Sequence, residues 1–93
     1  MRIISLVPSV TETLYALGLE DQIVGITRFC TEPSDKVKSK TKVGGTKDPN
    51  LTRILELKPD VVIVNVDENR KEDAEFLKSR EIRLLVTFPN TID

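Results

Sequence analysis

Histidine is absent from this 93-residue chain, and its absence removes the side chain that most often serves as general base and as metal ligand. The chain alone therefore cannot build a Ser-His-Asp or Cys-His catalytic group, nor a metal site made mostly of imidazoles. Only carboxylates and lysines are available as bases. An enzyme is consequently the least favoured class of function, and no metal site is expected.

Cysteine, excess charge and long apolar runs are scarce as well. Cys30 is the single cysteine, which excludes an internal disulfide and is typical of a reducing compartment. The 14 basic residues nearly cancel the 15 acidic ones, and without a basic stripe nucleic acid is not expected as a partner. No apolar run approaches the ~20 residues that span a membrane, and no signal peptide is visible. We therefore expect a cytoplasmic protein without membrane insertion, or a periplasmic or extracellular one if a leader was removed.

Apolar runs that alternate with helical patterns predict an α/β fold. The runs that predict strands are residues 3–7, 23–27, 61–64 and 82–87. Helical spacing predicts helices at 9–17, 48–57 and 69–82. This order implies a single Rossmann-like lobe over residues 1–93, with a mainly parallel sheet of four or five strands and helices on both faces. Residues 28–47 lack a clear period and follow the second strand, on the side where such sheets bind ligands.

The first strand runs directly into a helix start. Ser9 and Glu12 fit a capping box with Ser9 at the N-cap, and Gly18 stands where a glycine ends a helix. Because Ser9 and Glu12 would use free N–H groups and add negative charge there, phosphate binding is not favoured. The backbone around Pro8 and Ser9 stays available to a neutral ligand.

The other two helices also carry start signals. Asp48 is the expected cap of the second helix, with Pro49 in its first position. Asp67 or Asn69 is the expected cap of the third. The "GGTK" segment at 44–47 lacks the spacing of a phosphate-binding loop, so it is interpreted as a flexible turn.

Two side chains near the predicted strand ends are candidate ligand contacts. Phe29 lies in a polar loop of a chain with only three Phe, one Tyr and no Trp. It either packs back onto the core or presents an aromatic face to a flat ligand. Asn65 follows a buried strand at its carboxyl end. Cys30, one thiol without partner ligands, is more typical of a buried structural residue than of a metal ligand.

Four segments together resemble a known family: "RIISLVPSVTETLYALGL", "VGITRFCTEP", "KVGGTKDPNLTRILELKPDVVIVN" and "ENRKEDAEFL", in that order. They resemble the N-terminal lobe of the helical-backbone (class III) periplasmic binding proteins, in the vitamin B12-binding branch. The resemblance implies two α/β lobes joined by one long helix, with the ligand clamped between them. It also implies delivery of cobalamin, haem or iron-siderophores to ABC importers. The second lobe and the connecting helix are not in the sequence, so the chain is interpreted as a natural half-length protein or as a fragment.

The resemblance also implies a set of ligand-lining residues. Phe29 matches the aromatic residue that contacts the corrin. Thr46 and Asn65 fall where this branch places further ligand-lining side chains, which are tryptophans in the best-known form, and here they would supply hydrogen bonds. The backbone of Pro8 and Ser9 would form the floor of the site.

The leading interpretation is a non-enzymatic ligand-binding lobe for cobalamin or another metal chelate, with no required cofactor. The alternative is a structural or interaction domain that self-associates, as a homodimer or with a separate second lobe. Thr52 falls where family members carry the glutamate that docks onto the importer. The absence of that glutamate argues against an importer as partner.

Overall fold

The computed structural model describes residues 1–30 and 37–88 and shows alternating strands and helices. The elements of this part of the chain are β1 (Ile3–Ser5), α1 (Pro8–Ala16), a 3-10 turn (Glu20–Gln22), β2 (Ile23–Ile26), α2 (Leu51–Glu56), β3 (Val61–Asn65), α3 (Lys71–Ser79) and β4 (Arg83–Thr87). Among these residues, no helix combines the length and the apolar character that a membrane crossing would require.

The four strands form one parallel sheet in the order β2-β1-β3-β4. Every residue of β3 is buried, which fits its central position and explains why its sequence is a continuous apolar run. β4 stands at an edge of this sheet and is largely exposed. The predicted α/β fold with a mainly parallel four-stranded sheet is confirmed.

Helices cover both faces of the sheet and create two apolar cores. Leu14 of α1 packs in the first core with Ile3 and Ile63. Ile54 of α2 and Leu77 of α3 pack in the second core, together with Ile4, Val62 and Val64. Neighbouring strand residues enter opposite cores because side chains alternate across a strand. This two-sided burial leaves the ends of the strands as the place where polar side chains collect.

The predicted capping box at the start of α1 is wrong. The N-cap is Val7, without a side-chain cap, and Pro8 occupies the first turn. The fixed φ of proline suits the first helical position, so Ser9 lies inside the helix and cannot cap it. The end of the helix was predicted correctly: Gly18 has φ +77°, and the Leu19 N–H donates to the Leu14 carbonyl over 3.0 Å.

The second helix begins two residues later than predicted. Asn50 is its N-cap, and its side chain accepts a hydrogen bond from the Arg53 N–H over 3.0 Å. Asp48 cannot cap because its carboxylate pairs with Arg28 at 3.2 Å. Pro49 lies outside the helix and forms an isolated bridge with Gly44. The Asp48 carboxylate is thus engaged outside the helix, and Asn50 takes the capping position.

Candidate ligand-binding edge of the sheet

Parallel strands bring their carboxyl ends to one side of a sheet. Four segments meet on this side: residues 6–9, 27–30, 43–48 and 65–70. We call this set of segments the carboxyl edge. It contains all five predicted ligand-lining residues, with different exposures: Ser9 and Phe29 are exposed, Pro8 and Thr46 are half-buried, and Asn65 is buried.

Phe29 presents its ring to solvent at the carboxyl edge. Its side chain is 53% exposed, so the alternative in which it packs back onto the core does not apply. The guanidinium carbon of Arg28 lies 5.0 Å from the ring centroid, within the range of a cation–π contact. The Phe29 N–H donates to Thr27 Oγ1 over 3.3 Å. The ring is therefore held by its neighbours, and its contact with a ligand stays a prediction.

A buried polar network lies under the Phe29 turn. Cys30 is 2% exposed, and its Sγ lies 3.1 Å from Thr11 Oγ1 and 3.3 Å from Thr27 Oγ1. Thr11 Oγ1 also donates to Ser5 Oγ over 2.9 Å. The network joins β1, α1 and the end of β2. In residues 1–30 and 37–88, no group of three side chains is arranged to hold a metal ion.

The turn at residues 44–48 is clamped to the end of β2. The Arg28 N–H donates to the Gly44 carbonyl over 2.9 Å, and the Arg28 guanidinium pairs with Asp48 at 3.2 Å. Gly44 has φ +97°, and Gly45 is buried with no room for a side chain between Arg28 and Asp48. The two glycines therefore allow the turn to pass close to Arg28, which fixes the position of the half-buried Thr46.

Asn65 uses most of its side chain to build the turn after β3. Its Oδ1 accepts hydrogen bonds from the N–H groups of Asp67 and Glu68 over 2.8 and 3.2 Å. Its Nδ2 donates to Thr87 Oγ1 over 3.2 Å. The side-chain oxygen Oδ1 is therefore already bonded to backbone N–H groups. The Asn65 side chain stabilises the turn at the carboxyl edge and leaves little of itself for a ligand.

Asn69 was not predicted as a residue of this edge. The N-cap of α3 is Arg70 without a side-chain cap, so the cap expected from Asp67 or Asn69 is wrong. Asn69 is 7% exposed. Its Nδ2 donates to the carbonyls of Leu6 and Thr46, and its Oδ1 accepts from the Asn65 N–H over 2.7 Å. No local sequence pattern predicts these bonds, because Leu6 lies 63 residues and Thr46 lies 23 residues from Asn69 along the chain.

A cavity of about 330 Å³ opens beside this edge, between the ends of β3 and β4 and the start of α3. Its lining consists of Val64, Asn65, Val66, Asn69, Arg70, Lys71, Ala74 and Val86. Four of these eight side chains are apolar, and the two cationic ones stand at the start of the helix. The sequence did not reveal this cavity, because its walls come from three separate elements.

Asp73 is a buried carboxylate next to the carboxyl edge. It is 7% exposed, and its Oδ2 has no hydrogen-bond partner, although the Arg70 Nε lies 3.5 Å away. Burial raises the pKa of this carboxyl above its usual value of 3.8. Arg70 opposes the rise, whereas Glu72 and Asp48 add to it. The folded protein therefore holds this proton more tightly than the unfolded chain does.

Asp73→Asn is expected to stabilise the fold at pH 7. The pKa of the Asp73 carboxyl is raised above 3.8 in the folded protein, because burial disfavours the charged form. The free energy of unfolding of the wild type therefore falls as the pH rises above 3.8 and the carboxyl loses its proton. Removing the charge should raise the denaturation midpoint at pH 7, and the two proteins should converge toward pH 3. Urea unfolding over this pH range measures the effect. Glu75→Gln, at an exposed carboxylate of the same helix, is the control. An equal difference between wild type and Asp73→Asn at every pH would contradict the assignment.

A sequence profile described as periplasmic binding protein matches residues 3–91. The chain belongs to this family. The vitamin B12-binding protein of Yersinia pestis (strain Pestoides F) is 34% identical over 92 residues, which are 99% of this chain and 32% of that protein. YvrC of Bacillus subtilis, an uncharacterized ABC transporter substrate-binding lipoprotein, is 45% identical over 64 residues, which are 69% of this chain and 20% of that protein.

Solved structures of this family share the fold. The periplasmic heme-binding protein RhuT from Roseiflexus sp. RS-1, in apo form, matches with a TM-score of 0.87 at 28% identity, over 94% of this chain and 33% of RhuT. The predicted resemblance to the vitamin B12-binding branch is confirmed. The chain spans a third or less of the length of each of these relatives. They are described as binding proteins, one of them a lipoprotein and one of them periplasmic. These comparisons do not support the cytoplasmic expectation.

Proposed function

We propose that this chain is a non-enzymatic ligand-binding lobe of an ABC-importer substrate-binding protein, and that the ligand is cobalamin or another metal chelate such as haem. The observation that carries the proposal is the half-exposed Phe29 ring at the carboxyl edge, in a chain similar over 99% of its length to a vitamin B12-binding protein. An exposed aromatic ring on a fixed turn suits a broad, flat ligand.

The carboxyl edge supplies distinct kinds of contact for such a ligand. Phe29 offers an apolar face, and the half-buried Thr46 offers a hydroxyl group on the turn that is clamped to Arg28. The Pro8–Ser9 backbone is the floor of the proposed site. Arg28 and Asp48 balance one another in charge, so no net charge is required of the ligand near the ring. No cofactor is needed for this binding.

The proposed location is the periplasm or the outer surface of the cell membrane, by analogy with the lipoprotein and periplasmic relatives. Delivery of the ligand to an importer is part of the proposal for the longer protein. Thr52 is exposed in the first turn of α2 but has no carboxylate, so it is not proposed as a docking residue.

Calorimetric titration of the 93-residue chain with cyanocobalamin and with haemin tests the proposed function. Saturable binding of either compound with 1:1 stoichiometry supports it. Binding of neither compound, with the chain shown to be folded by circular dichroism, contradicts it. Coordination through histidine is excluded in this chain, so haem binding would have to rest on the faces of the ring system or on other ligands.

Self-association is the second candidate function, and the exposed apolar side chains of β4 and of the adjoining Phe88 favour it. Leu85 is 53% exposed, Val86 43% and Phe88 72%. Exposed apolar edge strands pair readily with a second copy. If self-association is the function, the isolated chain should dimerise and, as a monomer, should bind a corrinoid weakly or not at all. Sedimentation at several concentrations, with and without cobalamin, tests both parts, with Leu85→Lys as the variant expected to remain monomeric. A strictly monomeric wild type that binds cobalamin with micromolar affinity would contradict this expectation.

A further inference from the structure

We infer that Asn69 is the positioning residue of the carboxyl edge: it sets the distance between the Pro8–Ser9 floor and the Thr46 turn without touching the ligand. The inference rests on the proposed function for its meaning in binding. The geometric argument does not depend on that function. One buried side chain bonds to Leu6, to Thr46 and to Asn65 at the end of β3.

The first two connections run from the Asn69 amide nitrogen. Nδ2 donates to the Leu6 carbonyl over 3.1 Å and to the Thr46 carbonyl over 3.0 Å. Leu6 directly follows β1, and its N–H donates to the Ile63 carbonyl of β3 over 3.0 Å. The chain leaves the sheet directly afterwards and reaches Pro8. Asn69 therefore fixes the point from which the floor of the proposed site departs.

The third connection runs to the amide oxygen. Oδ1 accepts from the Asn65 N–H over 2.7 Å, at the end of β3. A second bond between the same loops comes from Lys47, whose Nζ donates to the Asp67 carbonyl over 2.6 Å. That lysine is exposed, so its bond competes with water, whereas Asn69 is 7% exposed. The buried Asn69 amide therefore does more than Lys47 to fix the position of the 44–48 turn relative to residues 65–70.

The chemistry of this position demands an asparagine. The three partners require one acceptor and two donors on a short side chain, and the asparagine amide provides this set. An aspartate at this place has the same shape but would set a carboxylate against two carbonyl oxygens. A buried carbonyl that loses its hydrogen-bond donor costs more free energy than an exposed one, because water cannot replace the donor. Changes at Asn69 should therefore move the Thr46 turn rather than only lower global stability.

The test compares Asn69→Asp with Asn50→Asp in the 93-residue chain. Asn50 uses its side chain as an acceptor for the Arg53 N–H, which a carboxylate can replace, so this variant is a matched control. Amide NMR spectra of residues 44–47 are recorded from pH 7 downward. We expect these amides to shift and to lose hydrogen-exchange protection at pH 7 in Asn69→Asp only. The change should partly reverse on acidification, because the protonated carboxyl regains one donor.

Ligand affinity is the second readout. Cyanocobalamin or haemin, whichever the wild type binds, should bind Asn69→Asp about tenfold more weakly at pH 7, a loss of about 1.4 kcal/mol, because the Thr46 turn loses the bond that positions it. The ratio of wild-type to variant affinity should shrink as the pH falls. Asn50→Asp should bind like the wild type at every pH.

The outcomes separate the inference from the proposed function. Unchanged amides at 44–47 in Asn69→Asp overturn the inference, whatever the affinities are. Perturbed amides with acid reversal support it even if the wild type binds neither compound, a result that would contradict only the proposed function. If Asn69→Asp does not fold, Asn69→Ser, which keeps one donor and one acceptor, replaces it. Wild-type amides and affinity in that variant would also overturn the inference.

Discussion

Phe29→Ala is expected to weaken binding of the proposed chelate ligand roughly four- to tenfold while leaving the fold intact. Full burial of a phenylalanine side chain contributes roughly 1.5–3 kcal/mol, and about half of this ring is still exposed before binding. The remaining gain of about 0.8–1.5 kcal/mol corresponds to this range of affinities. Calorimetric titration with the compound that binds the wild type measures the change.

Leu17→Ala is the matched control for Phe29→Ala. Leu17 is 67% exposed and lies at the C-terminal end of α1, away from the carboxyl edge. Its removal should change neither affinity nor stability by more than about 0.5 kcal/mol, as is usual for surface positions. Wild-type affinity in Phe29→Ala would remove the ring from the binding surface and leave the Thr46 turn and the Pro8–Ser9 floor as the remaining contacts.

Gly44→Ala is expected to have the largest effect on stability, about 3 kcal/mol. Its φ of +97° disfavours any side chain, and an added Cβ would lie 2.8 Å from the Asp48 carbonyl oxygen and 2.9 Å from the Asn50 nitrogen. Both neighbours are backbone atoms, which cannot rotate away. Conformational strain of roughly 1–2 kcal/mol therefore adds to an overpacking penalty of roughly 1–3 kcal/mol.

Gly18→Ala isolates the conformational part of this effect. Gly18 has φ +77°, but an added Cβ would meet nothing within 4 Å. Its replacement should lower the free energy of unfolding by about 1–2 kcal/mol, the conformational strain alone. Urea denaturation of both variants gives the difference, which we attribute to the backbone contacts of Gly44. Equal losses in the two variants would show that the turn at 44–48 can move aside, and that it does not hold Thr46 rigidly.

The sequence allowed the architecture to be predicted because the fold rests on local patterns. The run from Val61 to Val64 is typical of a strand covered on both faces, and helical spacing identified the elements that cover it. The start of α2 was missed because Asp48 is held by Arg28, 20 residues earlier. The start of α1 was missed because two signals, a proline and a serine, competed at adjacent positions.

The candidate site was predictable only where a residue type was unusual for its surroundings. Phe29 could be singled out because aromatic side chains are rare in polar loops, and it is indeed exposed. Asn65 was noticed for its place after β3, but its hydrogen bonds to the next turn were not foreseen. Asn69 carries no local signal, since its partners Leu6 and Thr46 are brought to it by the sheet order. Residues 31–36, part of the segment predicted to be a loop, lie outside the described residues.

The burial of Cys30 bears on the compartment in which this lobe can work. A lone cysteine was taken to indicate a reducing environment, yet that argument applies to thiols that oxidants and other cysteines can reach. Here Sγ is enclosed between two threonine hydroxyls and is 2% exposed. The native protein therefore has no accessible thiol for mixed disulfides in an oxidising space. A thiol-alkylating reagent would label the chain only when the end of β2 separates from α1, so the rate of labelling would report how often this part of the lobe opens.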